Sequence, residues 1–412
     1  MKSHLRIQAF QGLVPSPQFV DHVHCVPYDV VNTAEAKQLA EGNPYSLLHV
    51  DRAEIDLPAN TNPYSNIVYE TARQKFMEFQ KNGALVHEKQ PSLYLYQQTM
   101  GNHQQTGLAA LCHVEDYDGN LIKKHEKTRQ DKEDDRTRLI DTIGANTGPV
   151  FLTYQNTPAL QELFAKVKKG APTYDITAPD GIRHTVWRIT DCEPWIKLFQ
   201  EIPYSYIADG HHRAASAARV ARKRRSENPQ HTGKETYNWF LCVLFPANEL
   251  KILPYNRCVT DLNGQTPESF LKKIGEEFTV EPTHKNTPEK SHQICMYLDG
   301  KWYVLTPKNA SAKDPVSSLD VSILQDRLLA PILGIEDPRT SSRIDFIGGI
   351  RGPKELEQRV NSGQAAVAFS MYPTTVTQMM DIADAGQIMP PKSTWFEPKL
   401  RTGFFIHTLD SR

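Results

Sequence analysis

Short apolar runs alternate along most of the chain with stretches in which apolar residues recur every third or fourth position. The runs predict buried strands at 46–50, 92–97, 107–114 and 149–154, and the helical spacing predicts helices over 33–41, 64–81, 157–169 and 193–201. Further on, Tyr206-Ile-Ala reads as a strand, Asp209-Gly210 as a tight turn and the Ala-rich run from His211 as a helix. The polar stretch 223–234 reads as a surface loop, and the strand after it, 237–245, is expected to pair with the one before the Ala-rich helix. Near the C-terminus, 321–333 is helical in pattern, and 343–347 and 365–370 are strand-like. Asp180-Gly181 and Asp299-Gly300, each between β-rich segments, predict hairpins, so part of the sheet must be antiparallel. The expected class is α/β in the mixed α+β sense, with mixed parallel and antiparallel sheets. Pro, Lys, Ala and Ser dominate 306–314, which places the expected division there: a region 1–310 and a C-terminal α/β region 311–412.

Composition narrows the classes. A chain of 412 residues, 39% hydrophobic and 23% charged, is long enough for two or three cores and describes a soluble globular protein. A formal net charge of -1 provides no global attraction to nucleic acid or an anionic membrane. No apolar run approaches the ~20 residues that span a bilayer. The start, Met-Lys-Ser-His-Leu-Arg, lacks the apolar core of a signal peptide, so a cytoplasmic location without a membrane partner is expected. The six cysteines form no Cys-x-x-Cys pair, and Cys242 lies within Phe-Leu-Cys-Val-Leu-Phe; reduced core thiols are expected rather than disulfides or zinc ligands.

The candidate chemistry centres on Asp209-Gly-His-His-Arg213. Gly210 lets backbone N–H groups approach a ligand, the helix N-terminus adds partial positive charge, and Arg213 offers a planar fork for phosphate oxygens. The expected ligand is a phosphate. The same residues are also explained if His211 and His212 cap a helix and Arg213 pairs with a structural carboxylate. A second cluster, Lys123-Lys-His-Glu-Lys-Thr128, precedes Asp131, Lys132, Asp135 and Arg136 at helical spacing. Glu126 among cations stays ionised and is the candidate general base, with His125 beside it; Asp131, Lys132 and Glu133 read as a solvated face. The basic run Arg219, Arg222, Lys223, Arg224, Arg225 suits a helix C-terminus, and without interleaved aromatics it argues against DNA binding. After Pro390-Pro391, Lys392, Ser393 and Thr394 are candidate anion contacts, unless the segment is a packed tail anchored by Trp395. Asp29, Asn43 and Ser46 sit at expected turns and are candidate pocket residues, although turn chemistry alone accounts for them.

Taken together, Pro27-Tyr-Asp-Val-Val31, Asn43-Pro-Tyr-Ser-Leu-Leu-His-Val50, Lys124-His-Glu-Lys-Thr128 with Asp135-Arg136, Asn146-Thr-Gly-Pro-Val-Phe151, Ala208-Asp-Gly-His-His-Arg213 and Met389-Pro-Pro-Lys-Ser-Thr394 resemble a bacterial family known as domain of unknown function 1015. Asp-Gly-His-His-Arg also resembles the phosphate-binding motif of the ParB and sulfiredoxin superfamily, which includes free-serine kinases. That resemblance implies a ParB/sulfiredoxin-like nucleotide-binding core, with Gly210, His211, His212 and Arg213 around the phosphates. Sulfiredoxins carry a catalytic cysteine where this chain has His211, and ParB clamps add a helix-turn-helix that is not recognisable here. The serine kinases keep Asp-Gly-His-His-Arg and use a glutamate as base, a role that Glu126 matches. The implied activity is a nucleotide-dependent kinase that uses ATP or ADP with Mg²⁺ to phosphorylate a small-molecule hydroxyl such as that of free L-serine. In that reading Asp209 binds Mg²⁺ or orients a histidine, and His125 and Arg136 contact phosphate or position Glu126. The alternative is a ParB-like nucleotide-binding switch or DNA-associated protein without kinase activity; homo-oligomers fit either.

Overall fold

The computed structural model describes residues 4–309 and 314–409, which divide into two units: Met1–Leu250 with Pro398–Arg412, and Lys251–Glu397. The first unit is organised by a nine-stranded sheet. Its strands in chain order are β1 (Ile7–Gln8), β2 (Leu93–Met100), β3 (His103–His113), β4 (Ile122–Lys123), β5 (Val150–Tyr154), β6 (Tyr174–Thr177), β7 (Arg183–Ile189), β8 (Ser205–Asp209) and β9 (Trp239–Pro246). Across the sheet they run β4-β8-β5-β9-β3-β2-β7-β6, with β1 pairing to β3. β8 with β4 and β9 with β5 are parallel, and the remaining pairs are antiparallel. The expected mixed sheet is therefore the observed one.

Strand placement follows from burial demand. β5 and β9 are apolar almost without interruption and take central positions, buried on both faces. β6 alternates buried and open positions and lies at the edge. This centrality of β5 also corrects one expectation: β9 does not pair with β8, because β5 lies between them. The Asp180-Gly181 hairpin is present, joining β6 to β7, with Gly181 at φ 80°.

Three helices frame the site: α1 (Asn66–Lys81), α2 (Gln130–Ile143) and α3 (His211–Glu227). α3 buries Ala214, Ala215, Ala217, Ala218 and Ala221, small residues that let its axis lie close to the sheet. Ala214, Ala217 and Ala218 join Leu108, Leu152, Phe240 and Leu244 in one core. Leu139 and Ile143 of α2 enter a second core with Val68, Ala72 and Phe76 of α1. Residues 46–50, expected as a strand, instead form the one-turn helix Leu48–Asp51. A five-residue apolar run does not distinguish the two by periodicity, and the Ser46 Oγ accepting from the Leu48 N–H (3.4 Å) favours the turn. Of the six cysteines, all free thiols, Cys192 is half-buried and the others are buried.

The second unit contains a six-stranded antiparallel sheet of β10 (Tyr255–Val259), β11 (Phe278–Thr283), β12 (Ile294–Leu298), β13 (Lys301–Pro307), β14 (Ile344–Gly348) and β15 (Val367–Met371). Its order, β11-β13-β12-β15-β10-β14, interleaves strands from both sides of residue 310. The division expected at 310/311 thus falls inside a sheet, because β12 pairs with β13 before it and β15 after it. The Asp299-Gly300 hairpin joins β12 to β13 as expected, with φ of 49° and 73°. The helical pattern at 321–333 begins as Asp320–Leu324 and then widens, with the Ala330 N–H donating to the Gln325 carbonyl. Residues 398–409 return to the first unit, where the Thr402 and Cys25 backbones pair and His407 pairs with Asn146.

Candidate functional site

β8 ends in a register shift between Ile207 and Asp209, and the chain then reverses through Gly210 at φ 92° into α3. This backbone region is open to glycine and strained for other residues. α3 runs for 17 residues and starts with neither a side-chain cap nor an acidic residue in its first turn. Asn32, Thr157, Thr266 and Thr375, by contrast, cap their own helices with side-chain oxygens. The opening turn of α3, like that of α1, therefore has no side chain of its own first turn to offset its partial positive charge.

Arg213 lies beneath this turn. Its guanidinium donates to the Pro149 carbonyl, to Asp209 Oδ2 (3.1 Å) and to Asp29 Oδ2 (3.4 Å). Burial opposes its charge, and Asp29 and Asp209 more than offset that, holding it above the usual arginine range. Burial alone would raise Asp209; Lys399, 3.7 Å away, and Arg213 overcome it and keep the carboxyl below its ordinary value. Asp209 is consequently an ionised group already flanked by two cations. That setting does not fit a magnesium ligand, whose oxygens must face the ion.

The two histidines face the segment that precedes α2. The His125 N–H points at His211 Nε2 (3.5 Å), and the Arg129 N–H donates to His212 Nε2 (3.0 Å). Both imidazoles thus clasp the segment 125–129, which carries Glu126 between β4 and α2. His211 is 5% exposed; burial, then the nearby His125, His212 and Arg213, hold it well below its ordinary pKa. Burial brings His125 down to about 4 and lowers His212 as well. Neutral His211, accepting at Nε2, carries its proton on Nδ1, which faces Glu126 Oε2 at 3.7 Å. His125, Glu126 and His211 bring ligand-type atoms within 4.8 Å of one another, a spacing that a metal can use. The Glu126 side chain is 57% exposed, so it reaches solvent from an anchored backbone.

Arg136 is turned inward. It pairs with Asp135 (2.7 Å), donates to the Asp51 carbonyl (3.0 Å) and stacks 4.1 Å from the Tyr28 ring centroid. Asp51, Arg136, Asn146, Thr147 and Arg213 help line a small cavity of about 30 Å³. Asp51 accepts from the Thr147 hydroxyl (2.6 Å), while burial raises its pKa. Asp51 and Lys399 had no signal in sequence: neither belongs to a local motif, and they reach the turn from residues far from 209–213.

Other predicted residues are used in place. Asn43 donates to the His22 carbonyl (2.8 Å) and accepts from the Tyr45 N–H (3.2 Å), and Ser46 caps the turn at Leu48, so both serve turn geometry. Lys392, Ser393 and Thr394 belong to the second unit. Arg219 pairs with Asp134, Arg222 with Asp118, and Lys223 and Arg224 with Asp141. The basic run is thereby matched by acids. No described helix is long and apolar enough to cross a membrane.

Comparison with the curated proteins returns no match. Among solved structures, a free serine kinase in complex with AMP shares 13% identity at a TM-score of 0.36, over 70% of this chain and 86% of that one. SbnI with a C-terminal truncation from Staphylococcus aureus shares 12% at 0.38, over 72% and 85%. A conserved hypothetical protein from Pyrococcus furiosus shares 13% at 0.34, over 71% and 92%. In sequence, residues 7–322 match the family described as protein of unknown function (DUF1015), and the chain belongs to that family.

Proposed function

We propose that the chain is a nucleotide-dependent phosphotransferase that acts on a small-molecule hydroxyl, with Glu126 as general base and the opening turn of α3 as the phosphate site. One observation carries this reading: a solvent-reaching carboxylate stands 3.7 Å from the first residue of an uncapped 17-residue helix. A hydroxyl is a poor nucleophile at neutral pH, so its proton must be accepted as the new P–O bond forms, and the transferring phosphoryl charge must be stabilised. Glu126 accepts the proton. The first-turn N–H groups of α3 face the phosphoryl oxygens, with Gly210 allowing close approach. His211 and His212 are positioning residues that hold the 125–129 segment, and Arg213 positions the turn through Asp209. Magnesium accompanies nucleotide phosphates in such reactions, while Asp209 is engaged by Arg213 and Lys399. Within this reading ATP or ADP is the donor, and the Asp-Gly-His-His-Arg resemblance favours free L-serine as the acceptor.

The test is a split between turnover and binding. Glu126→Gln should lower kcat by about 10²–10⁴ while leaving the nucleotide Kd within about threefold. Equal losses in both would reject the base assignment.

A further inference from the structure

We propose that the second unit carries an oxyanion site of its own, centred on Arg257 of β10 and completed by Lys392. Arg257 is 3% exposed. Its guanidinium donates to two backbone carbonyls, those of Tyr255 and Lys392 (3.3 Å for the latter), and lies 5.2 Å from the Phe346 ring centroid. These carbonyls take two of its five N–H groups and leave its charge in place. The other deeply buried arginines each meet a carboxylate: Arg136 meets Asp135, Arg213 meets Asp29 and Asp209, and Arg401 meets Asp180. Among the described residues Arg257 has no such partner. Burial lowers its pKa to about 9, which still leaves it cationic at neutral pH.

The second cation comes from the segment that sequence marked as a candidate anion contact. Lys392 takes a left-handed backbone (φ 56°), uncommon for a lysine, while its carbonyl accepts from Arg257. Its Nζ lies 5.6 Å from the ring centroid of Tyr255, the residue whose carbonyl is the other acceptor. The segment is pinned: the Ser393 hydroxyl donates to the Pro390 carbonyl (2.6 Å), and the Thr374 hydroxyl donates to the Ser393 carbonyl (3.1 Å). A buried guanidinium on the Tyr255 carbonyl and a lysine ammonium over the Tyr255 ring, with no carboxylate paired to the guanidinium among the described residues, fit a ligand that brings negative charge. The planar fork suits phosphate and carboxylate oxygens alike.

Trp395 supplies a local reporter, since its ring packs edge-on against Tyr255 at 5.1 Å. Inorganic phosphate and acetate are titrated separately into the full chain near neutral pH, and the Trp395 indole N–H resonance, assigned with Trp395→Phe, is followed by NMR. Saturable movement with either anion is expected, phosphate response indicating a phosphoryl group and acetate response a carboxylate. Arg257→Met should raise that Kd at least about tenfold, as loss of a charge-assisted fork requires. Lys392→Met, at an exposed position that tolerates change, should raise it about threefold and provides the test should Arg257→Met fail to fold. No saturable shift up to about 20 mM of either anion, or a Kd unchanged in these variants, overturns the proposal. The readout is confined to the second unit, so phosphate bound at α3 does not enter it.

Discussion

Replacing Gly210 by alanine tests whether the turn and Arg213 form one rigid assembly. Two costs are expected. Gly210 sits at φ 92°, where an L-residue pays a left-handed penalty of about 1–2 kcal/mol. In addition, a Cβ there would lie 3.0 Å from both Cζ and Nε of Arg213, so the guanidinium has to give by a few tenths of an ångström while it is held by Asp29, Asp209 and the Pro149 carbonyl. Disturbing a mostly buried pair of this kind costs about 2–3 kcal/mol. Gly181 is the internal control: its φ is 80°, and nothing lies within 4 Å of the added Cβ. Urea denaturation should therefore show a loss of about 1–2 kcal/mol for Gly181→Ala and about 3–5 kcal/mol for Gly210→Ala, with unchanged m-values. Equal losses in the two variants would refute the coupling of the turn to Arg213.

Two further outcomes follow from the same geometry. Burial holds His125 at about 4 against about 6.5 unfolded, so the unfolded chain binds its proton first and stability falls as pH drops through that window. His125→Gln should therefore reduce the stability lost between pH 7 and pH 5 by about 2 kcal/mol, measured by urea denaturation at each pH; an unchanged difference would mean that His125 is not buried neutral. Arg213→Met strands Asp29 and Asp209 and should cost about 3 kcal/mol, with part of it recovered by adding Asp29→Asn; full additivity of the two changes would contradict their contact.

Strands, helices and both Asp-Gly hairpins were readable because each is encoded by local periodicity or turn chemistry. The helix at Leu48–Asp51 was not, since a short apolar run fits either state until its neighbours are placed. The neighbour of β9 and the division of the chain depend on pairings between distant segments, such as β12 with β15, and no local pattern records them. The sequence placed Gly210 in a turn that opens a helix and Glu126 in the segment before the next charged helix, and both elements are there. It missed that His211 and His212 accept backbone N–H groups from the Glu126 segment, because that contact spans more than eighty residues. For Arg213 it left two readings open, a ligand's phosphate or a structural carboxylate, and Asp29 from the N-terminal region and Asp209 are carboxylates that it meets.

Phosphorus NMR on the purified protein with Mg²⁺ and free L-serine, supplied in parallel with ATP or ADP, addresses phosphoryl transfer at α3 most directly. A phosphoserine resonance is expected to grow with one of the two donors and to be absent with Glu126→Gln. Phosphoserine formed at the same rate by Glu126→Gln, or nucleotide bound with no phosphoester from either donor, would contradict it.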